Sequence, residues 1–144
     1  MRPDRVFVDT GGWLAVQLPE DTHHHAAIAT FPALIAQCRA LVTSNHVVGE
    51  TYTFLRRGKG YAAARRFLDG LLATSKLERH FVGEALEREA YQILHRYAEH
   101  PFTFVDGTSF ALMRHQRIRF AFAFDTHFAT AGFVRIPLDF SLTL

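Results

Sequence analysis

The stretch FAFAFDTHF, residues 120–128, runs five apolar residues directly into an aspartate. A run without polar alternation is typical of a strand covered on both faces, as the central strands of parallel sheets are. The run ends at Asp125, and a carboxylate so near the interior is costly unless a cation or hydrogen-bond donors meet it. The stretch therefore predicts a parallel α/β fold and a first candidate site residue.

Short β-type runs alternate with longer amphipathic stretches along the rest of the chain, which is the pattern of a parallel sheet with crossover helices. We expect a three-layer α/β/α domain whose central, mostly parallel sheet has about five strands. The β-type runs occupy residues 6–8, 40–43, 77–82, 102–106, 120–124 and 134–137. Helices are predicted over residues 11–18, 23–37, 44–57, 61–75, 84–100, 107–116 and 126–132.

The composition is that of an ordinary soluble globular protein, with 144 residues, 49% of them hydrophobic and 21% charged. This length predicts a single domain over residues 1–144. The single cysteine, Cys38, cannot form an internal disulfide, and charged residues interrupt the N-terminus before any apolar stretch develops. These features predict a cytoplasmic protein without a membrane anchor.

Three of the 14 acidic residues stand apart from the others, most of which lie beside basic residues on predicted helices. Asp9, Asp106 and Asp125 each end an apolar, β-type run. Because ligands of open α/β sheets bind beyond the carboxyl ends of the strands, we expect these carboxylates to form one acidic pocket. Glu50 shares a face of its predicted helix with apolar residues, so it is expected to point toward the sheet and not into solvent.

Clustered carboxylates repel one another and are costly when dry, so they indicate a bound cation. Oxygen ligands, without Cys or His at metal-ligand spacing, favour the hard ions Mg²⁺ and Mn²⁺. Two such ions about 3.5–4 Å apart can activate a water and stabilise the leaving oxygen of a phosphodiester. The alternative for each aspartate is a purely structural one, as the N-cap of the helix that follows it.

Four segments resemble the PIN domain, and within that family the VapC-type toxins of bacterial toxin–antitoxin pairs. They are VFVDTGGWLAV (6–16), SNHVVGETYTFLRR (44–57), FVDGTSFALMRHQRI (104–118) and FAFAFDTHFATAGF (120–133). Their order and spacing cover nearly the whole chain. The resemblance implies a Mg²⁺- or Mn²⁺-dependent endoribonuclease, the toxin of a type II toxin–antitoxin system, in which a metal-activated water cleaves RNA. It also implies that the catalytic metal ligands are Asp9, Glu50, Asp106 and Asp125.

The same resemblance implies hydroxyl groups that support the acidic site. Ser109 matches a hydroxyl position of the family, and Thr10 is a further candidate. Many members carry a hydroxyl two residues before the last aspartate, whereas this chain has Ala123 there, so Thr126 is expected to supply that support. Members of this family usually form homodimers and are held inactive by a cognate antitoxin, here of the VapB type.

Two features allow more than one interpretation. His127 is either a substrate contact or general acid beside Asp125, or a plain residue at a helix start. A basic stretch is either a rim that attracts RNA or a solvated helix face; its members are Arg56, Arg57, Lys59, Arg65 and Arg66. The alternative to an enzyme is a catalytically inactive PIN-like module that binds RNA or protein.

Overall fold

The computed structural model describes residues 2–144, and over this range the chain forms five strands and seven helices. The strands are β1 (Arg5–Val8), β2 (Ala40–Ser44), β3 (Leu77–His80), β4 (Phe120–Phe122) and β5 (Val134–Ile136). The helices are α1 (Thr10–Gln17), α2 (His24–Gln37), α3 (Asn45–Lys59), α4 (Tyr61–Ala73), α5 (Glu84–Arg96), α6 (Phe104–His115) and α7 (Thr126–Thr130). None of the helices in residues 2–144 is both long and apolar enough to cross a lipid bilayer.

The five strands form one sheet in the order β3-β2-β1-β4-β5, and every neighbouring pair is parallel. The chain starts in the middle with β1, extends the sheet on one side through β2 and β3, and then returns to build β4 and β5 on the other side. The order therefore reverses between β1 and β4. In such sheets the crevice at the reversal point is where ligands bind.

The central strands are buried on both faces, as their unbroken apolar sequences predict. Val6, Phe7 and Val8 of β1 are fully buried. Phenylalanine rings fill much of the space between the sheet and the helices: Phe110 of α6, for example, packs edge-on against Phe128 of α7 at 4.9 Å between ring centroids. The many phenylalanines of the chain are thus largely core residues.

Three helices begin at side chains that cap them directly after a strand or its extension. The Ser44 hydroxyl accepts a hydrogen bond from Val47 N at the start of α3. Asp9 is the N-cap of α1, and Asp125 is the N-cap of α7. Capping is therefore a real role of these two aspartates, in addition to any other.

Residues 102–106 do not form a strand-like extension, so the prediction of a β-type run ending at Asp106 is wrong. Thr103 is the N-cap of α6, and Asp106 lies in the first turn of that helix. The Thr103 hydroxyl accepts from Asp106 N at 3.0 Å, and an Asp106 carboxylate oxygen accepts from Thr103 N at 2.9 Å. This reciprocal pair is a capping box, whose hydrogen bonds outweigh the β preference of a five-residue apolar run.

Candidate metal centre

Acidic side chains meet at the carboxyl ends of β1 and β4, where the strand order reverses. Asp9 directly follows β1, and its backbone N–H donates to Phe122 O at the end of β4, at 3.2 Å. Asp125 lies three residues beyond β4, and Asp106 enters from the first turn of α6. Three segments that are far apart in the sequence thus deliver carboxylates to one edge of the sheet.

The closest group consists of Asp106, Asp125 and His127, whose ligand atoms all lie within 4.8 Å of one another. His127 Nδ1 is 2.9 Å from Asp106 Oδ2 and 3.4 Å from Asp125 Oδ1. The same Asp106 oxygen also accepts from Thr103 N, and Asp125 Oδ1 accepts from His127 N at 2.8 Å. Both carboxylates are therefore held in fixed positions, close enough to coordinate one metal ion.

Asp9 is the most perturbed acid of the group. Only 6% of its surface is exposed. Burial first, and then the neighbouring charge of Asp106, raise its pKa from the ordinary 3.8 to about 7, with a smaller contribution from Glu50. The backbone N–H groups of Thr10 and Gly11 oppose this shift but do not cancel it. A buried carboxylate that repels its neighbours in this way is stabilised by a cation.

Glu50 lies at the rim of the acidic group and is exposed, so the expectation that it points toward the sheet is wrong. The buried stripe of α3 contains Val47 and Leu55. Glu50 belongs to the adjacent stripe with the exposed Phe54, and both line a cavity of about 840 Å³. Glu50 is still near enough for its charge to raise the pKa of Asp9.

Asp125 is also more exposed than its apolar flank predicts, with 40% of its side chain accessible. The strand ends at Phe122, and Ala123 and Phe124 leave the sheet as buried, non-strand residues. The carboxylate consequently emerges at the surface of the sheet edge. A partly exposed acid beside the buried Asp9 and Asp106 leaves the site open on one side.

Two of the three predicted supporting hydroxyls are buried at this edge. Within residues 2–144, Thr10 Oγ1 and Ser109 Oγ have no hydrogen-bond partner. A buried hydroxyl without a partner is costly and indicates that a water or ligand completes the site. Thr126 is exposed at the start of α7, and Ala123 is fully buried. The carboxylates, the imidazole and the unpaired hydroxyls together suit a hard divalent cation with water ligands.

The predicted basic rim is exposed along α3 and α4. Arg57 lines the same cavity as Glu50, which places one cation beside the acidic group. Lys59 instead forms an ion pair with Glu20. Among the five predicted basic residues, Arg57 is therefore the one that lies beside the acidic group.

The sequence does not place His127 at metal-ligand spacing, so its position within the acidic group was not predicted. The structure places its Nδ1 between Asp106 and Asp125. The available signal was the Asp-x-His spacing at the start of a short helix: the cap residue and the second helical residue both face the end of the sheet. Its contact with Asp106, 21 residues away, could not be read from that spacing.

Comparison with known proteins gives four matches over most of the chain. A sequence model of the PIN domain family matches residues 6–134. The chain is 39% identical over 131 residues to the 23S rRNA-specific endonuclease VapC20 of Mycobacterium tuberculosis, which covers 91% of this chain and 97% of that protein. The crystal structure of VapC20, a Sarcin-Ricin loop cleaving toxin, aligns with a TM-score of 0.81 and 38% identity over 90% of this chain and 96% of the other. FitAcB from Neisseria gonorrhoeae aligns with a TM-score of 0.64 at 15% identity, over 90% of this chain and 95% of that one, a likeness of fold alone.

Proposed function

The chain belongs to the PIN domain family, and on this premise we propose that it is a Mg²⁺- or Mn²⁺-dependent endoribonuclease that acts as a toxin. The observation that carries the proposal is the meeting of the buried Asp9 and Asp106 with Asp125 at the point where the strand order reverses. Burying two acids side by side has no benefit for folding unless a cation joins them. The 39% identity to an RNA-cleaving relative supports RNA as the substrate.

The proposed catalytic ligands are Asp9, Glu50, Asp106 and Asp125. When bound, a divalent ion supplies an activated water and charge stabilisation for the leaving oxygen of the phosphodiester. Asp106 is oriented for binding by Thr103 N and by His127 Nδ1. Asp9 would hold the ion from the buried side and Asp125 from the exposed side, so a phosphodiester would reach the site past Asp125.

His127 is proposed as a positioning residue of this site. Its Nδ1 touches both Asp106 and Asp125, and its ring packs against Phe102 at 5.1 Å between centroids. The ring is thus fixed on one side by an aromatic contact and on the other by carboxylates. We propose that Thr10 and Ser109 support the site through the buried hydroxyls that lack partners within residues 2–144, and that Thr126 supports it from the start of α7.

The proposed partners follow from the family. We propose ribosomal RNA as the first substrate to test, because the relative of known target is named for 23S rRNA. A VapB-type antitoxin and a second copy of the chain are the proposed protein partners, as the VapC-type segments imply. Arg57, which lines the cavity beside Glu50, is the proposed cation for substrate phosphates at this edge.

The test is cleavage of RNA by the purified chain with Mg²⁺ or Mn²⁺. We expect Asp9→Asn and Asp106→Asn each to lower the rate roughly 100-fold or more, because each removes a metal ligand. Asp69→Asn is the matched control, since Asp69 is an exposed aspartate of α4 paired with Arg65, and it should leave the rate unchanged. If the wild-type chain binds RNA but cleaves none with either metal, the inactive binding module is correct instead.

A further inference from the structure

A second, strongly basic cavity lies at the opposite edge of the sheet from the acidic group. Its volume is about 340 Å³. Five arginines line it against one aspartate, Asp4, in a chain whose net charge is only +2. The arginines are Arg2, Arg5, Arg39, Arg117 and Arg119.

The parallel sheet itself gathers these arginines. Arg5 opens β1, Arg39 directly precedes β2 and Arg119 directly precedes β4. Val6 lies opposite Phe120, so Arg119 falls beside Arg5; Arg5 lies opposite Ala40, so Arg39 falls one residue earlier, beside Asp4. Adjacent strands are about 4.8 Å apart. The amino ends of three neighbouring strands thus present a row of guanidinium groups.

Ion pairs occupy some of these arginines but not all of them. Arg5 donates to Glu78 at 2.7 Å, and Arg39 pairs with Asp4 at 3.1 Å. In the Arg39 pair both side chains are more than 60% exposed, and exposed pairs of this kind are weak. Arg2 and Arg117 form no ion pair within residues 2–144, so the cavity has an excess of positive charge.

Arg117 contributes to this cavity from an unfavourable backbone conformation. Its φ is +57°, in the left-handed region that costs free energy for any residue with a Cβ. It is the one non-glycine residue in this region among residues 2–144. Glycine or asparagine would make this turn at lower cost, whereas arginine adds an exposed guanidinium group to the cavity lining.

We infer that this basic cavity binds phosphates of a folded RNA at a place remote from the cleaved bond. The inference rests on the proposed function for the identity of the polyanion. Arg5 and Asp9 are the two ends of one strand, so the two sites are separated by about 13 Å along it. An oligonucleotide of a few nucleotides can be bound by the acidic site alone, whereas a folded RNA is wide enough to contact both ends of the strands at once. Arginine is suited to this contact because its planar fork binds phosphate oxygens in pairs.

The experiment compares the binding of two RNAs in EDTA, where no metal-dependent cleavage takes place. The variant is the double substitution Arg39→Gln with Arg117→Asn; asparagine accepts the left-handed φ, so the turn is preserved. The control is Arg88→Gln with Arg96→Gln, which removes the same charge from two exposed positions of α5 outside the cavity. The probes are a folded ribosomal RNA fragment and an oligonucleotide of a few nucleotides.

For the folded RNA, we expect the Arg39/Arg117 variant to bind about 10-fold more weakly than the control, with a salt dependence lower by about 1.5 in slope. Binding of the oligonucleotide should differ less than about 2-fold between the two variants. Equal binding of the folded RNA by both variants would overturn the inference. The inference would also be overturned if the Arg39/Arg117 variant bound poly-glutamate, a protein-like probe, more weakly than the control but bound RNA equally well. The surface would then fit an acidic protein.

Failure of the ribonuclease proposal would give a different result. Suppose that the wild-type chain cleaves neither RNA with Mg²⁺ or Mn²⁺, while the Arg39/Arg117 variant loses binding of the folded RNA. The ribonuclease proposal would then be wrong, and the basic cavity would still be an RNA-binding site. Suppose instead that the chain cleaves both RNAs and that the Arg39/Arg117 substitutions leave the ratio of KM for the folded RNA to KM for the oligonucleotide unchanged. The ribonuclease proposal would then stand, and the inference about the basic cavity would be wrong.

Discussion

At the scale of single residues, Asp9 shows how the site opposes folding. Its carboxylate is buried and faces Asp106, and together these effects raise its pKa to about 7. A free carboxylate has a pKa near 3.8, so the folded chain binds the proton more tightly than the unfolded chain. In the absence of metal, Asp9 therefore lowers the stability of the fold at every pH at which this residue is ionised in the unfolded chain.

The first prediction concerns the pH dependence of this cost in metal-free protein. Well below the unfolded pKa of 3.8, Asp9 is protonated in both states and does not change the stability. As the pH rises toward 7, Asp9 ionises in the unfolded state but not in the folded one, so the stability falls. Above pH 7 the full loss of stability is present. Asp9→Asn should therefore raise the free energy of unfolding by a few kcal/mol near pH 8, and by clearly less near pH 5. Urea unfolding in EDTA at both pH values measures this difference.

The control for this prediction is Asp69→Asn, which changes an exposed aspartate. It should alter the free energy of unfolding by less than about 0.5 kcal/mol at either pH. A metal-free Asp9→Asn protein that is no more stable than wild type near pH 8 would show that Asp9 is not under the repulsion argued here.

At the scale of elements, the first turn of α6 fixes the position of Asp106. The capping box satisfies the backbone N–H groups at this helix start with the side chains of Thr103 and Asp106. The oxygen that closes the box is also the one that His127 contacts. The start of the helix and the geometry of the candidate metal centre therefore depend on the same carboxylate.

The second prediction is that Thr103→Ala weakens both stability and catalysis. Loss of the cap should cost about 1 kcal/mol of unfolding free energy. Because the Asp106 backbone N–H loses its partner, the carboxylate is less well held, and cleavage should slow by roughly 10-fold or more. The conservative Thr103→Ser retains the hydroxyl and should restore both quantities. Urea unfolding and the cleavage rate at saturating metal measure them; a slow Thr103→Ser protein would contradict a role through the cap.

Another element-scale contact fixes α1 against the end of β4. A Cβ built on Gly12 lies 2.4 Å from Phe122 O, a distance at which the backbone must shift. The third prediction is that Gly12→Ala destabilises the fold by about 1–3 kcal/mol despite the better helix propensity of alanine. Gly49→Ala is the matched control, since its Cβ meets nothing within 4 Å in α3, and it should be neutral or stabilising in the same urea experiment.

At the scale of the whole molecule, a bound cation would join segments that are widely separated in the chain. Asp9 follows β1, Asp106 belongs to α6 and Asp125 precedes α7. An ion that binds only the folded arrangement stabilises it by mass action. The acidic group thus couples metal binding to the docking of α6 and α7 against the sheet.

The fourth prediction follows from this coupling. At a Mg²⁺ or Mn²⁺ concentration of 100 times the dissociation constant, the free energy of unfolding should rise by about 2.7 kcal/mol. Asp106→Asn should remove most of this gain, whereas Asp69→Asn should retain it. Thermal unfolding with increasing metal measures the shift, and an unchanged melting temperature of the wild type at saturating Mn²⁺ would exclude the proposed cation.

The meeting of three carboxylates at one edge of the sheet was predictable, but their surroundings were not. Asp9 and Asp125 follow buried strands, and carboxylates there lie at the edge where parallel sheets bind ligands. Asp106 reaches the same edge from the first turn of a helix, so the β-type run predicted before it is wrong although its position is as expected. Glu50 was expected to face the sheet and is exposed, since helical periodicity alone does not tell which of two adjacent stripes is covered.

Hydrophobic periodicity and strand-end chemistry are local properties, so short stretches of sequence are enough to predict the parallel sheet, the helices between its strands and most of the carboxylates at its edge. Which groups meet there depends on the folded arrangement. His127 reaches Asp106 across 21 residues, and the arginines of the basic cavity come from positions between 2 and 119. The physical reason is that strand order and helix docking, which no short pattern encodes, bring the ends of distant segments together.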